Sequence, residues 1–190
     1  WVADECDPAV FPYDCDFSPI TEQPEAHLFK YLWPFRTNLS NGKMFGGKTK
    51  VETGLNWFEY GRLTHTKLRT PLSITFAFVA TNNHFVLDRG GKLFKQSALI
   101  AKLNDDATEA EHIGLLGLLN SSVACFWMQQ SLHNKGGPGG GSSKDEKWHD
   151  FYEFAANGLQ QFPMARQKPL GIARELDSLA RAALRADPEE

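Results

Sequence analysis

Pro71–Leu103 reads PLSITFAFVATNNHFVLDRGGKLFKQSALIAKL, and the fold is legible outward from it. It opens on a near-continuous apolar run from Ile74 to Ala80. A polar tip follows, Thr81-Asn82-Asn83-His84, and then the apolar run Phe85-Val86-Leu87. Asp88-Arg89-Gly90-Gly91 makes a turn, and a basic, strand-like tail runs on to Leu103. Short apolar runs bounded by turn residues, rich in β-branched and aromatic side chains, predict strands rather than helix.

Downstream the period changes. After an acidic loop at Asp105–Glu111, Ile113, Leu116 and Leu119, then Val123, Phe126 and Trp127, recur at three- and four-residue spacing. That spacing predicts two consecutive helices, or one kinked helix, over 112–119 and 121–132. Ser121 or Asn120 can cap the second, and the apolar face, with Trp127 and Met128, belongs to a core. From Pro169 onward LGIARELDSLARAALRA reads as an amphipathic helix with Leu170, Ala173, Leu176 and Ala180 on one stripe. The predicted fold is therefore mixed α/β of the α+β kind. It has a twisted mixed or antiparallel sheet, helices packed on one face and a protruding C-terminal helix.

Residues 1–30 carry Pro8, Pro12, Pro19 and Pro24 among acidic residues and read as a surface linker. Residues 31–165 form the main domain. Residues 166–190 form the helix, expected to pack on a part of a longer parent protein, since the chain starts at Trp1. No charged-then-apolar leader and no apolar run of about 20 residues is visible, so no membrane partner is expected and the predicted location is cytoplasmic. Cys6, Cys15 and Cys125 are an odd set without metal spacing and read as reduced thiols.

The charge distribution points to a partner. The formal charge is −3, from 20 Lys/Arg and 23 Asp/Glu. Eleven of those cations lie between Arg36 and Lys102 with three acids, leaving nine cations and twenty acids elsewhere. A basic middle between acidic ends suits a polyanion. Over 31–70 the cations alternate with aromatics, as nucleic acid requires: charge for phosphate, flat rings for bases. Trp33, Trp57 and Phe58 are read as core. Lys48, Lys50, Arg62, Lys67, Arg69, Arg89, Lys92 and Lys95 are candidate contacts to phosphates or guanine edges. Thr81, Asn82, Asn83 and His84 are candidate base readers, because an Asn amide matches an adenine edge. His133, Asn134 and Lys135 precede the glycine-rich run Gly136–Ser143, read as a loop closing on the DNA backbone or as a linker.

Several chemistries are excluded by spacing. The glycine-rich run lacks the G-x-x-x-x-G-K-[ST] pattern and follows a helix, which disfavours a nucleotide loop. His65 and His84 lack partners at metal spacing, so no metal site is assigned. Asp88 with Lys92 is better explained as turn chemistry than as a nuclease site, and no catalytic residue is assigned.

LSITFAFVATNNHFVLDRGGKLFKQSA, GLLGLLNSSVACFWMQQ, HNKGG, YEFAANGLQQFP and LFKYLWPFRTNLSNG together resemble one family over roughly residues 28–180. They are similar to the C-terminal part of the large adenine-specific DNA methyltransferases of BREX and phage-growth-limitation systems, relatives of the fused restriction–modification methylases. The resemblance implies a region like the target-recognition domain of TaqI-like methylases, which grips double-stranded DNA beside the catalytic domain of the same parent chain. The family's N-P-P-[YF] motif and its glycine-rich turn for S-adenosylmethionine are absent here. The expectation is that this stretch binds without catalysing and needs no cofactor, while the parent uses S-adenosylmethionine on an adenine flipped from the duplex. The alternative is a protein-interaction module docking other proteins of the defence system.

Overall fold

The computed structural model describes residues 8–64, 68, 72–90, 92–94, 97–136 and 150–186. Lys67, Arg69, Lys95 and the glycine-rich loop beyond Gly136 lie outside the described residues. The chain divides into two compact units, Asp7–Arg69 and Thr70–Glu190.

The first unit holds α1 (His27–Leu32), a 3-10 turn (Trp33–Phe35) and α2 (Arg36–Ser40) in immediate succession. Pro34 does not stop the chain from coiling. It sits in the first turn of the 3-10 segment, where its missing N–H is no loss. Phe29, Leu32, Trp57 and Phe58 form the core, with Ile20, Ala26, Leu28 and Leu39 against it. Phe29 meets Phe58 edge-on at 5.1 Å. The chain does not divide after residue 30. Tyr13 is buried, its hydroxyl accepts the Tyr60 N–H at 2.7 Å, and Trp57 Nε1 donates to Glu22 at 3.0 Å. Proline-rich composition made this backbone irregular, but Phe11, Tyr13 and Ile20 still supply apolar contacts. Trp33, expected in the core, is exposed, with the Arg36 guanidinium 4.9 Å over its ring.

The second unit is mixed α/β. β1 (Ser73–Ala77) lies between β3 (Phe85–Asp88) and β4 (Ala98–Ala101), antiparallel to both. Ile74 pairs with Leu87 and Phe76 with Phe85, so one face of β1 and β3 is apolar. A second antiparallel sheet has the order β2 (Val79–Ala80), β6 (Phe151–Glu153), β5 (His133–Gly136). The apolar run thus serves two sheets, and Phe78 is the switch. Its N–H donates to Ser97 just before β4 and its carbonyl accepts from Phe154 just after β6, both at 2.8 Å.

α3 (Glu109–Leu119) starts at a capping box in which Thr108 and Glu111 satisfy each other's backbone N–H. α4 (Ser122–Ser131) is capped by Ser121. Together with the apolar sheet face they bury Ile113, Leu116, Leu119, Ala124 and Met128, joined by Phe154 and Phe162. A short α5 (Ala156–Leu159) follows. α6 (Leu170–Ala186) packs on α3 of the same unit. Its inward side chains are Leu170, Ala173 and the acid Asp177. Leu176, expected on the inner stripe, is instead exposed with Ile172 and Leu179. The helix therefore has a docked stripe and a second, outward apolar stripe.

Candidate nucleic-acid interface

The loop between β2 and β3 is built on amides. The Asn120 side chain pairs with both backbone groups of Phe85: its Oδ1 accepts the N–H at 2.9 Å and its Nδ2 donates to the carbonyl at 2.8 Å. It acts as one more strand partner for the first residue of β3. Asn83 Nδ2 donates to the carbonyls of Leu119 at 2.6 Å and Ser121 at 3.3 Å. The Leu119 carbonyl lies at the C-terminus of α3, where carbonyls lack intrahelical partners; the Ser121 carbonyl also takes the Cys125 N–H at 2.9 Å. The Ser121 hydroxyl accepts from Ala124 N–H and donates to the Leu118 carbonyl. The loop 81–84 is thereby latched to the junction of α3 and α4.

Beside the latch lies a cleft of about 380 Å³ lined by Asn82, Asn83, Asn120, Ser121, Ser122, Cys125, Phe126 and Gln129. Its lining carries no acidic or basic side chain. Asn83 and Asn120 are held in the latch, while Asn82 and Ser122 are exposed and Gln129 half-buried at the wall. Thr81 donates to Asn82 Oδ1 at 3.0 Å, which orients that amide. Phe126 presents its ring largely to solvent, 68% exposed. Amides that can donate and accept, next to an open aromatic face, match the edge and face of a nucleobase.

The predicted residues fall into distinct settings. Asn82 lines the cleft, and Thr81 sets its amide. His84 is exposed on the same loop. His133, Asn134 and Lys135 are exposed on the edge strand β5. There Asn134 bridges Asp150 and Gly136, and Lys135 pairs with Glu153. Lys48 and Arg62 are exposed in the first unit. Lys92 is half-buried and acts electrostatically on Asp88.

Two of the cations are engaged within the fold. Lys50 is only 8% exposed, and its ammonium donates to the carbonyls of Trp57 at 3.2 Å and Glu59 at 2.8 Å. Burial pushes its pKa down, opposed by the nearby Glu59 carboxylate. Arg89 is held by Glu109 at 2.7 Å and Asp177 at 2.6 Å. Lys50 serves the fold and does not stand as a phosphate contact, while Arg89 is partly exposed and already committed to two carboxylates. The basic middle of the sequence is also divided between the two units. Among the described residues no group of three or more His, Cys, Asp or Glu could hold a metal ion. No helix among them is long and apolar enough to cross a membrane.

Sequence reasoning weighed Asn120 only as a helix cap, placed Phe126 with Val123 on a core-facing helical stripe although both are exposed, and passed over Gln129. Periodicity gave no signal for their meeting Asn82, because the three come together only through the latch.

The fold and cleft define a mixed α/β chain with an uncharged, amide-lined groove. No family profile matches it. The chain is 39% identical over 186 residues to the adenine-specific methyltransferase PglX of Streptomyces coelicolor. The alignment takes in 96% of this chain and 15% of that protein, so the chain spans a small part of its relative's length.

Proposed function

We propose that this chain is a DNA-recognition module of an N6-adenine DNA methyltransferase, positioning the duplex for a catalytic domain that binds S-adenosylmethionine. The observation that carries the reading is the 39% identity to part of an adenine-specific methyltransferase along nearly the whole chain. The cleft supports it. Asn82 and Gln129 have the donor–acceptor pair that matches an adenine edge in the major groove, and Phe126 offers a face for stacking. His84 stays a candidate base reader on the same loop, and Lys48, Arg62 and the β5 residues His133–Lys135 are the candidate backbone contacts.

Fluorescence anisotropy of the 190-residue chain with duplex DNA tests it. Phosphate contacts predict affinity that falls steeply with salt, on the order of one counterion per contact. Asn82→Ala should cost about 1–3 kcal/mol of discrimination between preferred and scrambled duplexes while changing affinity for scrambled DNA little. Salt-independent binding, or none at low salt, would sink the proposal.

A second reading rests on a different observation, the exposed stripe Ile172, Leu176 and Leu179 on α6. It makes the chain a docking module for the catalytic domain or for other proteins of a defence complex. Ile172→Asp with Leu179→Asp should then abolish partner binding and leave DNA affinity intact.

A further inference from the structure

A second surface of the chain carries a sharper assignment than general charge attraction. Lys43 and Thr49 form an isolated antiparallel bridge. Between them Met44 and Lys48 close a hairpin turn, with the Met44 N–H donating to the Lys48 carbonyl at 2.8 Å and the Gly47 N–H to the Met44 carbonyl at 2.9 Å. Gly46 and Gly47 adopt φ of 100° and 84°, a region side chains rarely enter. A Cβ at either would meet nothing within 4 Å, so these glycines answer a backbone need and the space around the tip is open. At that tip Phe45 is 110% exposed, with no neighbour covering it.

The base of the hairpin is held firmly. The Lys50 N–H donates to the Gly42 carbonyl at 3.2 Å, and the buried Lys50 ammonium ties the stem to Trp57 and Glu59. Thr53 Oγ1 lies 3.5 Å from Met44 Sδ, and the Glu52 carboxylate accepts the Thr49 N–H at 2.7 Å. An aromatic ring is thus presented on a pinned turn instead of folding back onto its own unit. Lys43 and Lys48, both exposed, flank it on the two legs. No acidic residue occurs from Arg36 to Val51.

We infer that this hairpin is a DNA wedge: Phe45 inserts between adjacent base pairs of duplex DNA while Lys43 and Lys48 engage the phosphates on either side. The geometry matches the partner. A base step offers a flat apolar slot flanked by phosphates, and apolar wedges flanked by cations are a recurring way to unstack one. Base–aromatic stacking is sequence-tolerant, so the wedge would act on any duplex the chain meets. The inference rests on the DNA-recognition reading and names a contact that reading does not require.

Insertion unwinds the duplex, which gives a readout independent of the unknown recognition sequence. Closed circular plasmid is relaxed by a topoisomerase with the 190-residue chain present, and topoisomers are compared after protein removal. Wild type and Phe45→Trp should shift the linking number. Phe45→Ala should keep the wild-type Tm, bind duplex about 10-fold or more weakly, and give no shift at matched occupancy. Lys43→Ala with Lys48→Ala should lower the salt slope by about two. Wild type that binds duplex without unwinding it, or Phe45→Ala that unwinds equally, overturns the wedge and leaves DNA recognition standing. Failure of wild type to bind duplex at low salt overturns both. Phe45-dependent capture by anionic phospholipid vesicles without plasmid unwinding would reassign the tip to a lipid surface and overturn the inference.

Discussion

Arg89 Nη2 lies 2.6 Å from Asp177 Oδ2, joining the turn after β3 to the middle of α6 across 88 residues of chain. Asp177 is buried, while Glu109, the second partner of Arg89, is about half exposed. Removing one member of a buried pair leaves the other charge without compensation, at about 3–5 kcal/mol. Arg89→Ala should lose that much stability in urea unfolding, and Glu109→Ala under about 1 kcal/mol. Asp177 Oδ1 has no hydrogen-bond partner among the described residues, so the pair is not fully satisfied. Arg89→Met with Asp177→Leu should therefore recover most of the loss. A double variant as unstable as Arg89→Ala would show that the charges are needed for α6 to dock.

Gly117 of α3 faces Ala173 of α6. A Cβ there would stand 2.6 Å from the Cβ of Ala173. Gly117→Ala gains helix propensity worth about 1 kcal/mol, but the overlap forces the helices apart. The expected net loss is about 1–2 kcal/mol. Adding Ala173→Gly should relieve the overlap, and thermal melts of the two single variants and the double would measure the coupling.

Asn120 holds the first residue of β3 with an acceptor and a donor at once. Asn120→Ala strands the Phe85 N–H and carbonyl, at about 1–3 kcal/mol for each unsatisfied group. Asn120→Asp keeps the acceptor and loses the donor, so it should fall between wild type and Asn120→Ala. Hydrogen exchange at Phe85 would report the difference locally.

Asp88 is buried beside Ser73 on the first sheet. Burial raises its carboxyl above the ordinary value, and the Gly90 N–H, Lys92, Lys102 and the Ser73 hydroxyl oppose that only in part. An acid whose folded pKa is raised costs stability at pH above that value. The cost fades as pH falls through it toward the unfolded value of about 3.9. Asp88→Asn should therefore melt higher than wild type at pH 7, with the gap closing toward pH 4. A variant that melts lower at pH 7 would mean the opposing contacts outweigh burial.

Much of the second unit was legible because its signals are local. Ile74–Ala80 has strand composition, and 112–132 has helical spacing broken at Asn120-Ser121-Ser122. Both became the elements expected, as β1 with β2 and as α3 with α4. The division at Phe78 was not legible. Nothing in the run SITFAFVA says that one residue will donate beside one sheet and accept beside another. The candidate site was legible at Asn82 and not at its neighbours Phe126 and Gln129, which meet it only once the loop is latched.

The sequence by itself determined the element types, the α+β class and the polar loop at 81–84, since propensity, periodicity and turn chemistry act within a few residues. Tertiary structure decided the fate of individual side chains. Lys50 and Arg89 look alike in sequence to Lys43 and Lys48. Yet Lys50 is drawn inward by carbonyls 7 and 9 residues further on, and Arg89 is held by carboxylates 20 and 88 residues further on, while the second two stay in solvent beside Phe45. A charge in sequence is drawn into the fold only where the folded chain offers it partners in a buried setting, and propensity and periodicity do not report those partners.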